Sequence, residues 1–275
     1  MVMNHAASAL VLLSGAAHAV VNAVLKSGND KMSGRVIIDG FSALLIAPAA
    51  LLVPLPTNAW GWLAASWVLH LLYTYALIRS FEQADMSVSY PIARGLAPSL
   101  AAIAAVTLFH EPINAYVVAG IACIGSGVFL IGVSHALKKS DLRWAIATAC
   151  CIACYTVVDA QGVRAAPTPA SYIVWIFLML GGGVGAVIAL FLGKRFLESF
   201  AKQWKPGLIA GLLSIVSYGS AMLAFRFGAT PRLAALRETS ILFGVAIAVV
   251  FLKERLTRWR VLGIASIAVG TILLI

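Results

Sequence analysis

Residues 90–98 read Tyr-Pro-Ile-Ala-Arg-Gly-Leu-Ala-Pro, and residues 233–241 read Leu-Ala-Ala-Leu-Arg-Glu-Thr-Ser-Ile. Both stretches lie in long apolar runs, and each carries one arginine, Arg94 and Arg237, 143 positions apart. The same shift carries Tyr75 onto Tyr218, Glu111 onto Glu254, Gly120 onto Gly263 and Gly127 onto Gly270. Between 67–132 and 210–275, 13 of 66 ungapped positions are identical, so the chain reads as a duplication. An ionised side chain inside an apolar span is expensive and marks a functional position by default.

Composition names the solvent. Hydrophobic residues make up 61% of the chain and charged residues 11%, against about 25% charged in a soluble domain. Too few charges are left to cover a water-facing surface, so most of the surface must meet lipid. Ten apolar stretches are long enough to cross a bilayer as helices: about 6–26, 35–55, 59–80, 86–108, 113–134, 143–163, 170–192, 205–226, 231–252 and 257–275. The reading is an all-α integral membrane protein of ten transmembrane helices. A barrel is excluded because runs such as Ala43 to Val53 and Ile241 to Leu252 do not alternate apolar and polar positions. The first stretch is kept as a spanning helix, since no Lys or Arg precedes it as a signal peptide requires.

The basic residues fix an orientation. Fifteen Lys and Arg fall at the loops following the first, third, fifth, seventh and ninth stretches, three (Arg164, Arg226, Arg232) on the other side, and Arg94 and Arg237 within spans. Basic loops stay cytoplasmic, so both termini are expected outside a bacterial-type inner membrane. The net charge of +10 is thereby explained without nucleic acid. Five helices per copy is an odd number, so residues 1–137 and 138–275 must insert upside down relative to one another. Loop charges agree: His110-Glu111-Pro112 has no Lys or Arg, whereas Lys253-Glu254-Arg255 is basic. Inverted repeats of this kind build many secondary transporters, with the site at the repeat interface. A looser shift of 137 sets His18 on Tyr155 and Asn22 on Asp159.

The first copy carries Pro98-x(12)-Glu111-x(8)-Gly120-x(6)-Gly127, and the second Glu254-x(8)-Gly263-x(6)-Gly270. This doubled pattern resembles the EamA family of the drug/metabolite transporter superfamily, with one departure, Ile241 in place of Pro98. The resemblance implies a secondary carrier for small metabolites whose central cavity is formed mainly by helices 1, 3, 4, 6, 8 and 9.

Arg94 and Arg237 are the expected substrate ligands, because guanidinium grips carboxylate or phosphate oxygens in a bidentate fork. Thr230 is the expected N-cap of the Arg237 helix. Tyr155 and Asp159 share a helix face, as do His18 and Asn22, and both pairs are candidate cavity lining. His70, Tyr73, Tyr75 and Tyr218 complete the candidate wall. Glu238 or Asp159 is a candidate proton carrier, or Glu238 neutralises an arginine. Glu111 and Glu254 read as structural carboxylates at helix N-termini, and Lys26 as an interface anchor. Gly181/Gly185 and Gly207/Gly211 form G-x-x-x-G contacts, and Gly181-Gly182-Gly183 softens its helix. Cys123, Cys150, Cys151 and Cys154 lie within spans and have no metal context. No cofactor is implied, and the partners are a small-molecule solute and the bilayer. The oligomeric state is left open. The solute is expected to be anionic or zwitterionic: an amino acid, organic acid, phosphate ester or phosphonate. Two rivals remain, an integral membrane enzyme acting on lipid and a non-transporting sensor or partner subunit. The scattered histidines at 5, 18, 70, 110 and 135 speak against the first.

Overall fold

The structure, a computed structural model, describes residues 5–28, 30–83, 86–132, 139–252 and 257–275, with side chains except at Lys26, Ile78, 81–92, 131–142 and 248–256. Lys253, Glu254, Arg255 and His135, and the side chains of Lys26 and Pro91, lie outside that description. The described chain is helical: α1 (His5–Ser27), α2 (Lys31–Ile46, extended by a 3-10 turn, Ala47–Leu51), α3 (Trp60–Gln83), α4 (Met86–Phe109), α5 (Ala115–Gly132) and α6 (Lys139–Ala165) come first. They are followed by α7 (Pro169–Leu178), a π stretch (Met179–Gly185), α8 (Ala186–Leu192), α9 (Lys194–Phe227), α10 (Thr230–Arg237), α11 (Ser240–Leu252) and α12 (Arg258–Leu274). Five stretches among the described residues are long and apolar enough to cross a membrane: His5–Leu25, Lys31–Leu51, Arg143–Ala165, Pro169–Leu192 and Lys194–Phe227. Ala93–Phe109 and Ala115–Leu130 are shorter apolar helices.

Two elements differ from the sequence expectation, each for a local reason. The Lys-rich stretch before residue 205 is helix, not loop, so α9 runs for 34 residues. At 1.5 Å per residue that is about 51 Å, longer than a hydrocarbon core of about 30 Å, so α9 is more than a membrane span needs. The expected helix over 231–252 breaks at Glu238-Thr239, where the amides of Glu238 and Thr239 reach back three residues to Ala235 and Leu236. The Thr239 hydroxyl also donates to the Leu236 carbonyl at 2.7 Å. The π stretch lies where the three consecutive glycines were expected to soften the helix.

Glycines set the close approaches. In α5 and α12 they meet crosswise: a Cβ on Gly120 would stand 3.1 Å from the Gly270 carbonyl, and one on Gly127 2.6 Å from the Gly263 carbonyl. An early residue of α5 meets a late one of α12 and vice versa, so the two helices run antiparallel. At the middle of the crossing the Ser266 hydroxyl donates to the Cys123 carbonyl at 2.7 Å. Those two positions are themselves 143 apart. The other packing follows the same exchange: α3 lies along α6 as α9 lies along α1, and α4 lies along α6 as α10 and α11 lie along α1.

Both G-x-x-x-G motifs receive α2. Gly181 stands against the Asp39 carbonyl and Ala43, while Gly207 and Gly211 stand against Ile37, Ile38 and Phe41. Helix α2 is therefore held between the π stretch and α9. The apolar core around Leu63, Ile124, Tyr172, Ile176, Met222, Phe225 and Ile267 joins residues of both copies.

Gly127→Ala should lower the thermal midpoint of the detergent-purified protein, followed by tryptophan fluorescence, by the equivalent of about 1–3 kcal/mol, the usual cost of overpacking. Gly40→Ala, whose Cβ would meet nothing within 4 Å, should be neutral or stabilising by up to about 1 kcal/mol.

Candidate functional site

The charges of the interior gather at the break between α10 and α11. Arg94, from α4, is 7% exposed. Its Nε lies 3.0 Å from Glu238 Oε2, both side chains being almost wholly buried. Its Nη2 donates to Ser240 Oγ at 3.4 Å. The Arg94–Glu238 contact is short, yet the Nε–H is not aimed at the carboxylate: neither atom has a hydrogen-bond partner. It is a charge contact without the fork geometry in which guanidinium binds oxyanions most strongly. Gly15 of α1 packs on the Ser240 amide and the Thr239 hydroxyl, which fixes the break from the other side.

Arg237 ends α10 and lies over the Tyr218 ring, 5.4 Å from its centroid. Among the described residues no carboxylate lies within ion-pair distance of it. Tyr218 donates its hydroxyl to Asp159 Oδ2 in a short hydrogen bond, and Tyr172 donates to Oδ1 at 2.7 Å. Asp159 is fully buried. The phenol ring thus stands between a cation and a carboxylate. His70 stacks on Tyr155 (4.2 Å, 26°) and meets Tyr73 and Tyr218 edge-on, both at 6.4 Å. His70 Nδ1 lies 2.9 Å from the Ser66 carbonyl; a carbonyl only accepts, so Nδ1 carries the proton. His18 lies within electrostatic reach of Arg35, Arg94 and Arg237, and Asn22 is half-buried one turn on.

Eight of the ten expected residues, Arg94, Arg237, Tyr155, Asp159, His18, His70, Tyr73 and Tyr218, are thus brought together, with Asn22 one turn from His18. Tyr75 lies apart. It is 56% exposed and packs edge-on to Trp144 at 5.7 Å. The Arg79 guanidinium lies over the same indole. Its repeat partner Tyr218 instead points inward, onto Asp159.

Sequence reasoning missed Arg35 and Asp39, one turn apart in α2 and paired at 2.9 Å. Arg35 is 43% exposed, yet it interacts electrostatically with Tyr73, Tyr155, His18 and His70. That combination places it at the open side of the cluster. The signal available was an acid four residues after a base inside an apolar run, the spacing of a helical ion pair.

Two further networks tie the ends of the bundle. Arg164 donates to the Phe225 and Gly228 carbonyls (2.9 and 2.8 Å), and Arg226 donates to the Val163, Arg164 and Ala166 carbonyls. Each arginine thus serves the free carbonyls at the end of the other's helix. Arg232 does the same for the Leu274 and Ile275 carbonyls. Glu111 accepts from Arg164 (2.6 Å), Gln161 (3.2 Å), the Thr230 hydroxyl (2.7 Å) and the Thr230 amide (2.6 Å). It was expected at the N-terminus of its own helix. It instead follows α4, after His110 at φ 51, and covers the N-terminus of α10. Thr230, expected as the N-cap, is the first helical residue and donates to that carboxylate. Around this network lies a cavity of about 360 Å³.

At the opposite end, Asp30 caps α2 through Ser33 and takes a fork from Arg195 at 2.7 and 3.0 Å. A cavity of about 430 Å³ lies beside it, between α1, α2 and α9. Neither cavity includes the central cluster.

Residues 141–275 match the model of the EamA-like transporter family. The C-terminal half belongs to that family. No curated protein matches the chain. A solved structure, described only as the crystal structure of a protein, aligns at TM-score 0.76 over 97% of this chain and 96% of that one, with 16% identity; this shows a shared fold alone. The chain is a multi-pass membrane protein whose C-terminal half is similar to that family of small-molecule transporters.

Partial burial raises the Asp30 carboxyl, but the Arg195 and Ser33 hydrogen bonds outweigh it and bring it down to about 2. Its stabilising contribution is complete above the unfolded value of about 3.9 and is lost as pH falls through about 2. The difference in thermal midpoint between wild type and Asp30→Asn should be constant from about pH 5 to 8 and shrink below about pH 4.

Proposed function

We propose that the chain is a secondary transporter that moves a small anionic or zwitterionic metabolite by alternating access. One observation carries the reading: two arginines at equivalent positions of a duplicated chain meet in one buried cluster, and one of them, Arg237, has a tyrosine ring rather than a carboxylate beside it. A guanidinium without an acid is suited to a carboxylate, phosphate ester or phosphonate. Asp159 and Glu238 offer acceptors for an amine. The wall consists of His18, Asn22, His70, Tyr73, Tyr155, Tyr218 and the Arg35–Asp39 pair.

The framework is ten spans in two inverted units, 1–137 and 138–275. The antiparallel crossing of α5 and α12 and the exchanged helix neighbours support it. Rocking of the two units exposes the cluster to one side and then the other. Two contacts between the units bear on that motion: Glu111 with Arg164 and Thr230 at one end, Asp30 with Arg195 at the other. The three basic residues of the first end are occupied by backbone carbonyls, in keeping with that end facing outward. Both termini then lie outside an inner membrane.

The test is uptake into proteoliposomes from a panel of amino acids, organic acids, phosphate esters, phosphonates and organic cations. At least one anion or zwitterion should be transported and the cations refused. Arg237→Ala should raise the KM of that solute about 10–100-fold, the worth of one or two charge-assisted hydrogen bonds, with membrane insertion unchanged. Flux of cations alone, or normal KM in both Arg94→Ala and Arg237→Ala, contradicts the assignment.

A further inference from the structure

The formal charges of the cluster balance. Arg35, Arg94 and Arg237 stand against Asp39, Asp159 and Glu238, three of each sign among the described residues. A monoanion entering this interior leaves one negative charge in excess, and an uncompensated buried ion is strongly disfavoured. Which group absorbs that excess follows from what each carboxylate holds. Asp159 accepts from two phenols. Asp39 keeps a hydrogen bond from Arg35, a neighbour on its own helix, at 2.9 Å. Glu238 is held by charge, with Arg94 at 3.0 Å and with Arg237 beside it in sequence, and its Oε2 has no hydrogen bond.

The groups that face Glu238 are few. Arg94 and Ser240 stand on α4 and α11, and Arg237 is its neighbour on α10. Around those two arginines, His18 comes from α1 and Tyr155 from α6, where it also reaches Asp159. Tyr218 comes from α9, and α5 brings no charged side chain. An oxyanion that forks onto Arg94 takes the place Glu238 occupies, and even if Glu238 turns to Arg237, the other cation in its reach, the interior keeps one negative charge in excess. A buried carboxylate in that position becomes neutral by binding a proton.

Resting on the reading of the cluster as the substrate site, we infer that Glu238 is an internal competitor for Arg94 and that solute anion and proton bind together. The step balances: one oxyanion and one proton enter from the same solution, the Arg94–Glu238 charge contact is replaced by an Arg94–oxyanion contact, and Glu238 leaves the step as the neutral acid. The loaded interior is again neutral, so a monoanion travels with one proton. A zwitterion brings its own cation and needs none.

The test is calorimetric binding to the purified full chain between pH 6 and 8, in buffers of different ionisation enthalpy. The probes are L-lactate, methanesulfonate and L-alanine, none of which changes charge in that range. Wild type should take up one proton for each lactate or methanesulfonate bound, with Kd rising tenfold for each unit of pH, and none with alanine. Glu238→Gln should bind the same anion more tightly at pH 8, without proton uptake and without pH dependence. Anion binding by wild type with no proton uptake overturns the inference. So does proton uptake that persists in Glu238→Gln. The wild-type Kd slope alone decides if the variant does not fold. Alanine binding with neither anion binding overturns the inference and leaves the transporter reading standing; binding of no probe removes the anion-site reading as well.

Discussion

A charge surrounded by lipid-immersed helices has to be answered by another charge, a hydrogen bond or a ring, and this requirement organises the whole molecule. Backbone polarity is answered by helices. What remains is a short set of ionised side chains, and nearly every described one has an identifiable role. Arg164, Arg226 and Arg232 close the free carbonyls of helix ends. Glu111 answers Arg164 and the free amide at the start of α10. Among the described residues, charges meet without good geometry at the α10–α11 break, the place proposed for the solute.

The architecture brings them together through small residues. Gly120 and Gly127 let α5 reach the backbone of α12, and Gly181, Gly207 and Gly211 let α2 lie between the π stretch and α9. Without those contacts α2 would not bring Arg35 and Asp39 beside Tyr73 and Tyr155. The departure from symmetry also has a place. Arg94 sits within a continuous α4 between two prolines, whereas Arg237 ends a helix that breaks without a second proline. The break turns Glu238 and Ser240 toward Arg94, so α4 supplies the cation and the α10–α11 break its carboxylate and hydroxyl.

Much of this was legible in the sequence. Apolar runs gave the helices, and the 143-residue shift gave the paired arginines and the glycine crossing, because period and spacing survive in one dimension. The i, i+4 rule placed Tyr155 with Asp159 correctly on one face, and both G-x-x-x-G motifs are contacts. What spacing does not carry is which way a face turns after packing. Tyr75 and Tyr218 are equivalent in sequence and opposite in exposure. Glu111 has the composition of a cap, but the helix it caps is 119 residues away. Arg35 looked like one more basic residue at a membrane edge, since its neighbours in space come from helices α1, α3 and α6.

The central claim is that the cluster around Arg94 opens to water during the working cycle. The most direct measurement is thiol labelling of Ser240→Cys, in a chain whose four native cysteines are replaced, reconstituted in sealed vesicles. A membrane-impermeant reagent should modify position 240. Resistance to that reagent together with rapid modification by a lipid-soluble one would place the cluster against the bilayer and contradict the account.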